Sequence, residues 1–432
     1  MGEHPLPLQG IKVVAFSNLL AGPYCSMMLG DMGAEVIKVE RLRGDDSRFL
    51  GPPFVMGEST PFLSVNRNKK GIALDVWKEK GREIFLKLTE GADVLVHNYR
   101  PEIVERLGFD YEQISRINPR IVYTSISSFG EEGEFRDRPG VDIVIQGMSG
   151  VMSITGEPDG RPMKVGTPIA DVAAGMFAAY GTISALFARE RFGIGQKVEV
   201  SLLNGMIALQ APRTGIFFAT GENPPRLGNN APYTMPSGSY KTKDSYINVS
   251  VPNRKFWGKF CSILGIEHLR DDPRFATNAK RVENRDQLMA IIEEIFQQRT
   301  TAEWLKVFER EDYTSGPILS YREILSHPLV AHSEMVVELE HPVCGPIKVT
   351  GIPAKLSKTP GKVALPPPAL GQHTEEVLTS LGYSCEEISV LKMEKVVFQH
   401  HEARGLKSEG MRAEVDDGQG EGGEILGGLP DR

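Results

Sequence analysis

IKVVAFSNLLAGPYCSMMLGDMGAEVIKVE, residues 11–40, decides the fold. IKVVAF (11–16) is a short apolar run rich in β-branched residues and reads as a strand. LAGPYCSMMLGDMG has helical spacing and closes on Gly33, and AEVIKVE (34–40) is a second strand. Together they form a βαβ unit.

The pattern recurs. GREIFLKLTEG reads as a helix ending at Gly91, DVLVHN (93–98) as a strand, and Pro101 starts a helix where its missing N–H costs little. RIVYTSIS (120–127) is a strand, Asp171 to about Arg191 one long helix, GQKVEVS a strand and LLNGMIALQ a helix. Such alternation implies a parallel sheet covered on both faces. The helix from Asp171 carries Ala, Gly, Met, Phe and Leu throughout, the pattern of a helix buried all round.

Composition changes near residue 220. TGENPPRLGNNAPYTMPSG (220–238) is loop-forming, GSYKTKDSYINVSV looks like a hairpin, and NRKFWGKFCSIL, NRDQLMAIIEEIFQQ and TAEWLKVFERE are helical. The expected organisation is a large α/β domain beginning in 1–220, a smaller α+β domain at 225–325, a return to the large domain at 330–398, and a tail at 399–432. The tail is rich in Gly, Asp and Glu and is expected to be disordered.

The 432 residues carry a net charge of −7 with both signs interspersed, which gives no reason to expect nucleic acid or an anionic membrane surface. No stretch is expected to supply the ~18 apolar residues of a membrane span. MGEHPLPLQG lacks the basic and apolar regions of a secretory signal, so the expected location is the cytoplasm. Cys25, Cys261, Cys344 and Cys385 lie far apart with no C-x-x-C pair. That argues against zinc and against a disulfide framework, and buried thiols are expected. His97, His268, His327, His332, His341 and His373 lack metal-ligand spacing and read as capping, surface or loop residues.

Parallel sheets bind ligands beyond the carboxyl ends of their strands. Glu40 and Arg41 follow the second strand, and Asn98 and Arg100 follow DVLVHN, with Arg106 in the next helix. Arginines there suit phosphate, because the guanidinium presents a fixed fork of donors; singly, each is equally at home as a solvated surface charge. The nicotinamide fingerprint fails: SNLLAGPYCSMMLG has one glycine near the turn, although Glu40 lies where a ribose-binding acid would. Walker A and G-x-S-x-G motifs are absent. VGTPIADVAAGMFAAYG (165–181) sets a single acid, Asp171, between a Gly/Pro-rich approach and small apolar residues. It is either a helix cap or a carboxylate nucleophile.

Read in order, LQGIKVVAFSNLLAGPYCSMMLGDMGAEVIKVE, NRNKKGIALD (66–75), ADVLVHNYRPEIVERLGFDYEQISRINPRIVYTSISSFG, RPGVDIVIQGMSGVMSITG, GTPIADVAAGMFAAYG, NRDQL and LGQHTEEVL make the chain resemble the family III CoA-transferases over roughly 8–397. The resemblance implies a Rossmann-like large domain, a small domain, and a homodimer of two interlocked rings. It implies transfer of CoA from an acyl-CoA to a carboxylic acid, with coenzyme A entering as the acyl-CoA substrate and no metal. Asp171 matches the family nucleophile, which forms a mixed anhydride and then an aspartyl-CoA thioester. Arg41 and Arg106 match positions that meet the nucleotide phosphates, Asn98 one near the pyrophosphate, and Leu74 one near the adenine. The chain departs at Trp77, where some members have a basic residue; neighbouring Lys78 is the expected substitute. A carboxylate at a helix N-terminus is expected to be ionised at neutral pH, and Ala170, Ala173, Ala174 and Gly175 to leave room for a thioester.

Two other functions compete. The same fold hosts α-methylacyl-CoA racemases, whose histidine lies in a G-H-D segment; here the segment is Gly140-Val141-Asp142, with no His between His97 and His268. A non-catalytic acyl-CoA-binding protein is the third reading. For the acceptor, Arg136, Arg138, Lys164 and Arg213 are cations that a second substrate carboxylate would want. Read that way they suggest a dicarboxylate pair such as succinyl-CoA with another diacid; the alternative is that they are ordinary surface or ion-pair residues.

Overall fold

A computed structural model describes residues 4–400. It divides into two compact units. The first takes in the residues up to Ser149, Gly166–Ala211 and those from His332 onward; the second takes in Gly150–Val165 and Pro212–Ala331. The break at 211–212 lies near the composition change, but Gly150–Val165 also belongs to the second unit. That segment is tied by Arg226, whose Nη2 donates to Gly160 O at 2.7 Å and whose Nε donates to Glu157 O at 3.2 Å. Its partners come about sixty residues later, so local sequence gives no sign of them. Of the expected tail, 401–432 lies outside the described residues. Gln399 is anchored, its amide donating to Gln372 O at 3.0 Å.

The first unit is built on a sheet of β1 (Lys12–Phe16), β2 (Glu35–Glu40), β3 (Lys69–Leu74), β4 (Val94–His97), β5 (Val122–Ser127), β6 (Gln196–Ser201) and β7 (Val397–Phe398). Its order is β7-β3-β2-β1-β4-β5-β6, and every pair is parallel except the edge strand β7 on β3. Helices α1 (Ala21–Asp31), α2 (Glu79–Glu90), α3 (Pro101–Leu107), α4 (Asp142–Met148), α5 (Ile169–Phe192) and α6 (Leu202–Leu209) complete the part that bears on function. The strands are apolar on both faces because both are covered: Val13 and Val14 on β1 are equally buried. One face buries Phe16, Phe85 and Phe109, with Phe85 stacked on Phe109 at 3.9 Å between centroids. Each such side chain contributes about 1.5–3 kcal/mol on burial.

Helix α5 corrects two expectations. It is buried on one side only: Met176, Tyr180, Ile183 and Phe187, spaced one turn apart, form an exposed apolar stripe, with Tyr180 at 72% and Phe187 at 63%. It is also long and apolar enough to cross a membrane by length and composition, with a mean hydropathy of 1.4 over its best window, half of that window being buried in the fold. Counting apolar letters missed this because Thr182 and Ser184 interrupt the run. Both hydroxyls donate inside the helix, to Ala178 O and Tyr180 O, and so cost little in a dry setting. The same chemistry suits a core helix.

The small residues of α5 serve packing. Ala170, Ala173, Ala174 and Gly175 are all buried. A Cβ on Gly175 would lie 2.8 Å from the backbone oxygen of Ala21, so only glycine lets α5 approach α1 this closely.

The second unit has a three-stranded antiparallel sheet, with Tyr246–Ser250 between Ser237–Lys241 and Ser315–Pro317. Helices Arg254–Leu264, Arg285–Phe296 and Thr301–Arg310 bury Trp257, Phe260, Phe296, Trp304 and Phe308 in its core. All four cysteines are free; Cys25 and Cys261 are buried as expected, whereas Cys344 is half-buried and Cys385 exposed. His97 is neither a cap nor a surface residue. It lies in β4, fully buried with both ring nitrogens unpartnered, and burial pushes it down to about 4.

Candidate active site

The loops beyond the carboxyl ends of β1, β2 and β4 are fastened to one another. Asn98, directly after β4, accepts from Asn18 N at 2.8 Å and donates to Asn18 O at 2.7 Å. It thereby holds the loop after β1, where Leu19 adopts φ 61°, a conformation that costs a non-glycine residue energy. Asn18 in turn accepts from Asp46 N at 2.8 Å and donates to Asp46 Oδ2 at 2.5 Å. Asp46 Oδ1 also accepts from Arg41 at 2.5 Å and from Arg43 at 3.3 Å. Beneath them Lys38 donates to Asp45 at 2.6 Å, fixing the start of this loop in the core. Arg41 and Asn98 therefore share one polar network, joined by Asn18 and Asp46, two residues that sequence reasoning missed. Neither falls in a recognisable motif.

Glu40 is unavailable to a ribose. It is buried and clamped by Arg48, Nε to Oε2 at 2.7 Å and Nη2 to Oε1 at 2.8 Å.

Leu74 and Arg106 part company. Leu74 is 1% exposed at the end of β3 and belongs to the core, so its side chain offers a ligand no surface. The accessible apolar group nearby is Trp77, three residues on. The Arg106 guanidinium stands over its ring, 5.2 Å from the centroid. A cation over an indole holds both in place. Lys78 is engaged elsewhere, donating to Glu394 O and Lys395 O.

Asp171 is the third residue of α5 rather than its cap. The N-cap position is Pro168, whose ring carries no hydrogen-bond acceptor. Asp142, at the start of α4, supplies the missing acceptor: its Oδ1 takes Ala170 N–H at 2.8 Å, while Oδ2 takes the Gln146 amide at 2.6 Å. One acid thus caps the helix from outside and the other is left free. Among the described residues no hydrogen bond or ion pair engages the half-buried Asp171 carboxyl. Burial first, and the charge of Asp142 second, push it up to about 7. The expectation of full ionisation at neutral pH is therefore corrected, because desolvation and like charge outweigh the helix dipole. Through Gly175, one turn along, this part of α5 rests on Ala21, next to the loop that Asn98 holds.

The candidate acceptor cations divide between the two units. Arg136 pairs with Glu105 and Asp137. Arg138 stands over Phe129 and Phe135. Lys164 and Arg213 lie in the second unit. No group of three or more His, Cys, Asp or Glu is placed to hold a metal among the described residues.

A doubly wound fold with arginines beyond its strand ends and, among the described residues, an unpartnered carboxylate at a helix start can meet an anionic substrate and offer it a carboxylate. The model of CoA-transferase family III matches residues 8–374, and the chain belongs to that family. It is similar to a succinyl-CoA:glutarate CoA-transferase of Mus musculus, 40% identical over 91% of this chain and 91% of that protein. An acetyl-CoA:oxalate CoA-transferase of Acetobacter aceti is 37% identical over 81% of this chain and 89% of its own length. The crystal structure of a CAIB/BAIF family protein from Brucella suis superposes with a TM-score of 0.78 at 35% identity, covering 88% of this chain and all of that one. The protein is thus a CoA-transferase, with a CoA thioester and a carboxylate as its substrates.

Proposed function

We propose that the protein moves CoA from succinyl-CoA to a second dicarboxylic acid, with Asp171 as the covalent nucleophile. The observation that carries this reading is the division of labour at the start of α5: Asp142 caps the helix and, among the described residues, nothing pairs with the Asp171 carboxyl. The Asp171 carboxylate attacks the thioester carbonyl, the C–S bond breaks, and CoA leaves as its thiolate from a mixed anhydride. The thiolate attacks the aspartyl carbonyl, releasing the first acid and forming an aspartyl-CoA thioester. The incoming carboxylate attacks that thioester, giving a new anhydride and the thiolate again. Attack of the thiolate on the acceptor's acyl carbon then yields the new acyl-CoA and restores Asp171. Both relatives described above are named for a dicarboxylic acceptor, glutarate or oxalate, which supports the acceptor class. Rapid quenching with succinyl-CoA and intact-protein mass measurement should find an adduct of CoA less water on the peptide carrying Asp171. An adduct elsewhere, or none during turnover, would remove the nucleophile from this residue.

The raised carboxyl dictates a pH profile. The anion attacks, so kcat/KM for acyl-CoA should rise with pH along a limb near 7. Asp142→Asn keeps an oxygen for Ala170 N–H but removes the neighbouring charge, so the limb should move to lower pH while burial still holds it above the usual carboxylate range. A limb that stays put in this variant would show that Asp142 does not act on the titrating group.

In this reading CoA lies with its phosphates at Arg41 and Arg106 and its pyrophosphate near Asn98. Trp77, rather than the side chain of Leu74, offers the apolar surface for the base. We further take the active form to be a homodimer of interlocked rings in the cytoplasm. The exposed stripe of Tyr180, Ile183 and Phe187 supports an apolar partner surface. Interlocked chains complete each other, so dilution to nanomolar concentration should give unfolding rather than a folded monomer in light scattering and circular dichroism. An active monomer would refute the assembly.

A further inference from the structure

The Asp142 carboxylate is tethered at both oxygens, and every group involved lies in the first unit. Oδ1 takes the Ala170 N–H of α5 at 2.8 Å, and Oδ2 takes the side-chain amide of Gln146 at 2.6 Å. Gln146 stands one turn along α4 from Asp142. On an open helix face such a pair is a common local contact and needs no functional reading. This pair is not on an open face: Gln146 is 0% exposed, and Asp142 reaches across to the next helix. A buried amide gives up such an acceptor only at the cost of its own desolvation, so the tether is firm.

The choice of an amide matters. A lysine or arginine at 146 could hold the carboxylate as firmly, but it would cancel its charge. The amide donates one hydrogen bond and leaves that charge in place. Among the described residues Asp142 is the one charged group that acts on Asp171.

The other elements around α5 bring no rival charge to its start. Helix α6 packs on both α4 and α5 and has no ionisable side chain. Helix α1, which meets α5 at Gly175, carries Tyr24, Cys25 and Asp31. Burial pushes the Cys25 thiol up to about 12, and Asp31 is paired with Arg67 at 2.6 Å. Arg189, Glu190 and Arg191 lie at the far end of α5. Strands β5 and β6 meet α5 around Gly181 and Thr182, ~15 Å along the helix from Asp171. Lys197 and Glu199 of β6 are engaged with each other and with Glu131. Arg138, ahead of α4, stands over Phe129 and Phe135.

We propose that Gln146 is a positioning residue of the transfer reaction: it keeps the Asp142 carboxylate turned onto the first turn of α5 and so fixes the charge beside Asp171. The inference rests on the reading of Asp171 as nucleophile, and it requires no contact between Gln146 and a substrate. Gln146 lies in RPGVDIVIQGMSGVMSITG, where nothing local marks its side chain as more than helix packing.

The test is Gln146→Met, which keeps the side-chain size and removes the donor. With one oxygen untethered and an apolar neighbour, the Asp142 carboxylate should turn toward water, and its charge should act less on Asp171. The Asp171 titration, about 7 in the parent, should then move to lower pH. The ratio of kcat/KM at pH 6 to that at pH 8.5 should rise about two- to fivefold. The same titration is read without turnover by carbon-13 NMR of protein labelled at the aspartate Cγ, with the Asp171 signal assigned by its loss in Asp171→Asn. In an Asp142→Asn background Gln146→Met should move neither readout further, because the charge it positions is gone. A Gln146 that only fills space would lower the melting temperature and leave the Asp171 titration in place, which overturns the proposal. An equal shift in the Asp142→Asn background overturns it too. If Asp171 is not the nucleophile, the rate profile follows another group, and the NMR titration still decides whether Gln146 acts on Asp171 through Asp142. If Gln146→Met does not fold, Gln146→Asn carries the comparison. Its amide is one methylene too short to reach Asp142, and an unmoved Asp171 signal there overturns the proposal.

Discussion

Asp171→Ala should lose CoA transfer by at least about a thousand-fold while the protein folds and still binds CoA. Removing a covalent nucleophile eliminates the route itself, and the residual rate is only what binding supplies. The structure makes the variant informative, because Asp142 rather than Asp171 caps the helix. No cap is lost, so stability should not fall by the ~1 kcal/mol typical of a cap deletion. The isosteric Asp171→Asn sharpens the point. The folded carboxyl is raised to about 7 from its ordinary value of 3.8, so the native state keeps a proton that the unfolded chain has released. Stability therefore declines as pH rises across that window. Asp171→Asn removes the penalty: it should melt above the parent at pH 8 and close to it near pH 4. Calorimetry at the two pH values and a transfer assay decide the matter. Appreciable activity in a well-folded Ala variant would end the nucleophile assignment.

Arg41→Ala and Arg106→Ala should each raise KM for acyl-CoA by about ten- to a hundred-fold with little change in KM for the acid. The two should not be equal. Arg41 shares the Asp46 carboxylate with Arg43, so removing it both deletes a phosphate donor and leaves a less neutralised acid beside the phosphates. Among the described residues no acid pairs with Arg106, whose guanidinium stands over the Trp77 ring, so its loss should lie at the low end of the range. Asp46→Asn should partly offset Arg41→Ala, because it removes the opposing charge. Steady-state kinetics of the single and double variants give that coupling directly. If KM for acyl-CoA is unchanged in both arginine variants, the nucleotide lies elsewhere and these are ordinary surface charges.

The parallel α/β layer was written in the local sequence: VVAF, VIKV, VLVH and VYTSIS are apolar on both faces, and only a sheet covered on both sides makes use of that. The order and spacing of the segments from LQGIKVV to LGQHTEEVL were likewise enough for the family, and they offered Asp171, Arg41, Asn98 and Arg106 as candidates for its site. What sequence could not supply depended on partners far along the chain. Asp142 caps a helix that begins twenty-seven residues later, since 169 − 142 = 27, and so frees Asp171 from the role its local context suggested. Burial and that same acid then reverse the helix-dipole expectation for its protonation, and desolvation is a property of the folded environment that no run of letters displays. The Leu74 side chain lies in the core because the end of β3 is covered by β7, a strand more than three hundred residues away, whereas Trp77 lies exposed under Arg106. The one-sided burial of α5 arises in the same way. Local periodicity sets which residues share a face, but only the assembled chain decides what, if anything, covers it.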